Sequence, residues 1–153
     1  RPTAFLARSN AERICQEEIF GPVASFLVVG VLMLVSGYLY FFGPRTKDLL
    51  TDSRTEVWLS PVSIWETRHL VERGRVRISE PYWDWINSAL SKLPVVEAPF
   101  TFVVALEAAR IVLPQPDPGD VVIAATAIVD DLTLVTSDEQ LLACSWLKTI
   151  SAD

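Results

Sequence analysis

One histidine, two cysteines and one methionine are present in 153 residues, and each scarcity closes off a class of chemistry. With His69 as the sole imidazole, a histidine-based triad would need it as base, yet no GxSxG-type nucleophile signature accompanies it. Its place within a helical stretch marks it as a surface or snorkelling residue. Cys15 and Cys144 stand far apart without CxxC or Cys/His spacing, which encodes neither a disulfide framework nor a zinc site. A reducing cytoplasm is therefore the expected compartment. The six glycines form neither GxGxxG nor GxxxxGK, so no nucleotide-phosphate cradle is expected. Basic charge is short as well: 13 Lys and Arg against 19 Asp and Glu leave a net charge of -6, and any contact with a polyanion must be local.

What is present suits one packed domain. Half the residues are apolar and 21% are charged, a balance that excludes intrinsic disorder. Residues 23–42 (VASFLVVGVLMLVSGYLYFF) carry no charge, and about 20 apolar residues are enough to span a bilayer. The run is read as a buried parallel strand followed by a core-facing helix, with a membrane span as the alternative. Arg1, Arg8 and Arg13 precede it while Arg45, Lys47 and Arg54 follow, so charge assigns it no orientation. Glu12, Glu17 and Glu18 ahead of it exclude a secretory signal.

Beyond this run, strand-like and helix-like segments alternate. Residues 56–59 form a short β-rich piece, after which Ser60 caps a helix with Pro61 at its first position and Gly74 at its stop. A second helix opens at Pro81, its apolar stripe made of Tyr82, Trp85, Ile86, Ala89, Leu90 and Leu93. A strand over residues 95–98, a helix over 101–110, a proline-rich loop over 113–119 and a helix over 120–129 follow. The strand 132–136 (LTLVT) precedes a short helix capped by Ser137 and running through Leu142. Strands separated by helices predict βαβ units and an α/β fold with a central parallel sheet covered on both faces.

Chemistry in this chain falls to carboxylates. Glu66 lies on a helix beside Ile64 and Trp65, Asp120 stands at a helix start behind the proline-rich loop, and Asp138 follows directly on LTLVT. In a parallel sheet, strand ends and the helix starts after them border the crevice where ligands bind. Three carboxylates converging there would repel one another unless a cation held them, and hard oxygen ligands suit Mg2+ or Mn2+. Taken singly, Asp120 and Asp138 read as helix N-terminal charges and Glu66 as a solvent-facing residue.

Three segments taken in order carry more. Residues 56–66 (EVWLSPVSIWE), 116–127 (PDPGDVVIAATA) and 132–144 (LTLVTSDEQLLAC) resemble the signature stretches of PIN-domain ribonucleases, specifically VapC-type toxins of bacterial toxin–antitoxin pairs. The resemblance covers roughly residues 44–150. It implies a three-layer α/β/α fold and a metal-dependent endoribonuclease that cleaves single-stranded RNA with Mg2+ or Mn2+ held by acidic side chains. By motif, it assigns catalysis and metal binding to Glu66, Asp120 and Asp138, with Asp117 as a minor ligand. It further implies an antitoxin partner and a homodimer.

Departures from the family pattern accompany the match. The family's first strand ends in an aspartate, but no aspartate precedes Asp48 here; counting back places that position at about Val28 or Val29. An alternative function follows, a catalytically impaired PIN-like binding module. Val121 replaces the arginine usual after the loop aspartate, and Gly119 the aromatic before it. The opening of the chain, RPTAF at 1–5 and ERICQEEIFGPVASF at 12–26, is similar instead to a stretch of NAD-dependent aldehyde dehydrogenases, where the residues matching Glu18 and Phe20 contact the nicotinamide end. The rest of that fold has no room here, which excludes dehydrogenase activity. Residues 1–22 are accordingly read as foreign to the PIN family and residues 23–150 as a PIN-like domain with an altered first strand and helix.

Two surface features stand apart from the acids. Trp83 and Trp85 flank Asp84 on one helix, about 200 degrees apart, so with Trp85 in the apolar stripe Trp83 is exposed or in an interface. Arg68, Arg73, Arg75 and Arg77 form a basic cluster running off the end of the Glu66 helix, placed to hold an RNA backbone. Reversing charge at Arg73 and Arg75 is expected to weaken RNA binding across sequences and to lower the slope of log affinity against log salt by about one for each phosphate no longer neutralised. Titrations at several salt concentrations check this; an unchanged slope would mark the cluster as solvated surface.

Overall fold

The structure is a computed structural model describing residues 3–7, 44–74, 76–92 and 94–152. In chain order its elements are β1 (Thr3–Ala7), α1 (Pro44–Thr51), β2 (Val57–Leu59), α2 (Pro61–Glu72), α3 (Tyr82–Lys92), β3 (Val95–Glu97), α4 (Phe102–Ala108), α5 (Pro118–Val129), β4 (Leu132–Thr136), α6 (Glu139–Leu142) and β5 (Thr149–Ser151).

Local signals explain most boundaries. Ser60 accepts a hydrogen bond from the Val62 amide at 3.3 Å and Pro61 opens α2, while Gly74 takes up φ +68° just beyond its end, a conformation glycine adopts without strain. Two helices start elsewhere than the sequence suggests. Helix α5 begins at Pro118, not at Asp120, because Asp117 caps it by accepting from the Gly119 amide at 2.8 Å. Helix α6 is capped by Asp138 rather than Ser137: the Asp138 Oδ1 accepts from the Gln140 and Leu141 amides at 2.8 and 3.3 Å. In both cases a carboxylate oxygen outcompetes its neighbours for the unpaired amides of a helix start.

The five strands lie in the order β3-β2-β1-β4-β5. Pairs β2/β3 and β4/β5 are parallel, as the alternation of strands and helices implies. The central strand differs, since β1 runs antiparallel to both neighbours and pairs along its whole length with β4, from Thr3 opposite Thr136 to Ala7 opposite Leu132. An antiparallel ladder satisfies the same backbone donors and acceptors as a parallel one, so a slot between two strands accepts a segment from either direction. Residues 23–42, read from sequence as strand and helix, lie outside the described residues, as do Val28 and Val29. Among the described residues no helix is long and apolar enough to cross a membrane.

Burial along β4 shows why the sheet is a middle layer. Leu134 and Val135 point to opposite faces, yet they are 0% and 1% exposed, so both faces are covered. Helix α5 supplies the largest cover: Ile123, Ala124 and Ala127 join Leu132, Leu134 and Leu141 in the core, and α5 also packs against α2 and α4. Small alanines on α5 let it sit close to the sheet. Helix α1 is tied to the far edge by Thr46, whose hydroxyl donates to the Ser151 carbonyl at 3.0 Å.

Candidate carboxylate site

The carboxyl end of β4 and the start of α5 are brought together by a side chain the sequence did not single out. Gln140 on α6 accepts from the Gln115 amide at 2.7 Å and donates from Nε2 to the Gln115 carbonyl at 3.1 Å. This two-way amide clamp fastens the proline-rich loop to α6. A cavity of about 830 Å³ opens beside it, lined by Pro114, Asp117, Asp120, Ser137, Asp138 and Glu139 among others. Asp138 is buried at its rim, oriented by its cap to α6 and by its own amide donating to the Thr136 hydroxyl at 3.0 Å. No motif links positions 115 and 140; only the fold makes them neighbours.

Glu66 approaches the same acids from α2. A Cβ placed on Gly119 would overlap Glu66 Oε1 and lie 3.1 Å from Asp117 Oδ1, so the Glu66 carboxylate occupies the space a side chain at 119 would take. Gly119 is needed for room, since its backbone is ordinary helix. Burial, then the like charges of Asp120 and Asp117, push the Glu66 carboxyl from 4.5 up to about 7. The four sequence-predicted acids thus divide into two overlapping groups: Glu66 with Asp117 and Asp120, and Asp138 lining one cavity with that same pair. Among the described residues, no three of His, Cys, Asp and Glu stand close enough to hold one ion.

The arginines of the basic cluster lie on the surface where they are described. Arg68, Arg73 and Arg77 are exposed, Arg68 with its Nε on the Glu72 carboxylate at 2.8 Å, while Arg75 lies outside the described residues. Trp83 is 60% exposed, as its spacing from Trp85 requires. His69 stays on the surface side of α2, edge-on to Trp65 at 4.7 Å.

The family model of the PIN domain matches residues 41–146, more than half of the chain. The chain belongs to the PIN-domain family. Members of that family are generally nucleases and typically bind divalent metals. No curated protein and no solved structure shows significant similarity to the chain. Against the family's use of metals, the donor set of this PIN domain fits a hard divalent cation in kind, being all oxygens and acidic, with Glu66 raised by burial and then by the like charges of Asp120 and Asp117. In spacing, the described residues offer no group of three such ligands for one ion.

Two outcomes follow from the Glu66 environment. Its folded pKa is raised, so the folded state binds the proton more tightly and stability falls as pH rises from about 4.5 to about 7. Glu66→Gln is expected to raise stability at pH 8 by about 1 kcal/mol after allowance for solvent screening, or about 2–4 °C in Tm, with no gain at pH 4. Thermal melts at the two pH values check this. Gly119→Ala is expected to keep Tm within about 4 °C, because the overlapped atom ends a flexible side chain. The displaced Glu66 carboxyl should then titrate nearer 4.5, as read by carbon-13 NMR.

Proposed function

We propose that this PIN domain is a metal-dependent endoribonuclease, the toxin of a bacterial toxin–antitoxin pair, which cleaves single-stranded RNA with Mg2+ or Mn2+ in the cytoplasm. The observation that carries the reading is the crowding of Glu66, Asp117 and Asp120 beside a cavity that also holds Asp138. Acids so placed weaken the fold unless a cation joins them, which is the signature of a site kept for binding rather than stability. Glu66 and Asp120 would hold the ion, with Asp117 and Asp138 beside it. A bound divalent ion supplies a polarised phosphate oxygen and a water of lowered pKa. Asp138, locked by two amides, keeps its carboxylate at the cavity rim without reorganisation. Glu66, its carboxyl raised to about 7 chiefly by burial, would have to be deprotonated to hold a cation.

For a partner, the reading draws on α4. Phe102, Val103 and Leu106 are 91%, 60% and 66% exposed, with Val112 at 87% just beyond, an apolar face suited to an antitoxin or a second copy. Residues 1–22 remain, in this proposal, a dehydrogenase-like segment foreign to the domain, from which β1 is drawn.

A second reading, a PIN-like module impaired in catalysis, is favoured by one specific feature. The antiparallel β1 brings Thr3, opposite Thr136, to the end of the sheet where the family's first strand would deliver an aspartate. One experiment separates the two. The chain is expected to cut a single-stranded RNA in Mn2+ and to stop in EDTA, and Asp138→Asn should lower the rate by about 100-fold or more. Asparagine caps a helix as well as aspartate, so Tm should barely move. Failure of the unmodified chain to cut RNA in Mn2+, with antitoxin binding intact, would establish the impaired module.

A further inference from the structure

Helix α2 carries a second feature that the carboxylate site does not use. Trp65, the residue before Glu66, is 58% exposed, and Trp83 on α3 is 60% exposed. A solvent-facing indole usually sits near a partner or a ligand, because leaving it in water forgoes the stabilisation of burying it. These rings are held in place. His69 meets Trp65 edge-on at 4.7 Å, and the Arg68 guanidinium lies 5.8 Å from the centre of the Trp83 ring. The Nε of Arg68 donates to Glu72 at 2.8 Å, which fixes the guanidinium against that ring. Tyr82 anchors α3 to α2 by donating to the Ile64 carbonyl at 2.7 Å.

We infer that Trp65 and Trp83, with Arg68 between their helices, form a stacking subsite for the unpaired bases of a single-stranded RNA next to the scissile phosphate. The inference rests on the nuclease reading and deepens it. On a helix of 3.6 residues per turn, Trp65 stands about 100 degrees round from Glu66, with His69 between the two directions and Arg68 on the other flank. A strand whose phosphate lies at the carboxylates therefore meets Trp65 first and Trp83 beyond Arg68. Aromatic faces beside a cation suit every base, whereas a duplex keeps its bases stacked on each other and offers none to the rings. Arg68 pairs with Glu72 as Arg110 on the α4 face pairs with Glu107, but among the described residues only the Arg68 guanidinium also lies against an aromatic ring. An exposed ring with a guanidinium beside it favours nucleic acid here over a protein partner.

The test is the affinity of the full chain for a fluorescent ten-residue oligouridylate and for an RNA duplex, measured by anisotropy in EDTA so that nothing is cut. Trp65→Ala and Trp83→Ala are each expected to weaken oligouridylate binding about five-fold or more, with duplex binding and the salt slope unchanged. Trp65→Phe should restore most of the affinity, and unchanged melting curves show that the fold is intact. Affinities within two-fold of the parent would overturn the subsite, as would equal weakening for duplex. A change in sedimenting mass with RNA affinity intact would assign the surface to a protein partner and overturn it too. If the parent chain neither binds the oligouridylate nor cuts RNA in Mn2+, the nuclease reading falls and takes the subsite with it; cutting that persists while Trp65→Ala binds normally removes the subsite alone.

Discussion

The close approach of α2 to the start of α5 governs the rest of the site. Where a side chain would otherwise stand on Gly119, the carboxylate of Glu66 lies, and Asp117 is within van der Waals reach of the same point. That contact holds the carboxyl partly out of water and beside two like charges, which together raise Glu66 to about 7. A side chain at position 119 would claim that space; here it is given to a carboxylate.

A second constraint comes from the centre of the sheet. The slot between β2 and β4 must hold a strand, because their inner edges would otherwise leave backbone groups unpaired within the core. Residues 3–7 fill it in the antiparallel sense and pair with β4 over five positions. The ladder is complete in hydrogen bonding, yet strand direction decides which end of β1 borders the cavity. With Thr3 opposite Thr136, the end of β1 next to Asp138 brings no acid among the described residues. The backbone requirement of the slot is thus met by a strand of either direction.

The acids also serve the architecture they strain. Asp117 and Asp138 each cap a helix, so the backbone amides of α5 and α6 hold them in fixed orientations before any ligand arrives. The Gln115–Gln140 clamp then sets the distance between the two caps. Repulsion among the carboxylates is contained by helix starts and a loop clamp, which lets a charged cavity persist in a protein of this size.

Much of this was legible before the fold. Residues 132–136 read as a strand and are β4 to the residue; Ser60, Pro61 and Gly74 bound α2 as their chemistry demands. These are local signals, set by dihedral preference and by hydrogen bonds within a few residues. The three motifs pointed to acids that lie near one another in the fold, and the 200-degree separation of Trp83 from Trp85 placed Trp83 outside. What sequence alone decided, then, is composition, helix starts and stops, the apolar stripes, and which acids carry the charge. Tertiary structure alone decided that Asp117, not Asp120, caps α5, that Gln140 reaches Gln115, that Glu66 fills the void at Gly119, and that the central strand runs backwards. Each of these depends on groups distant in sequence meeting in space, or on a competition between neighbouring caps, and neither leaves a periodic or compositional trace along the chain.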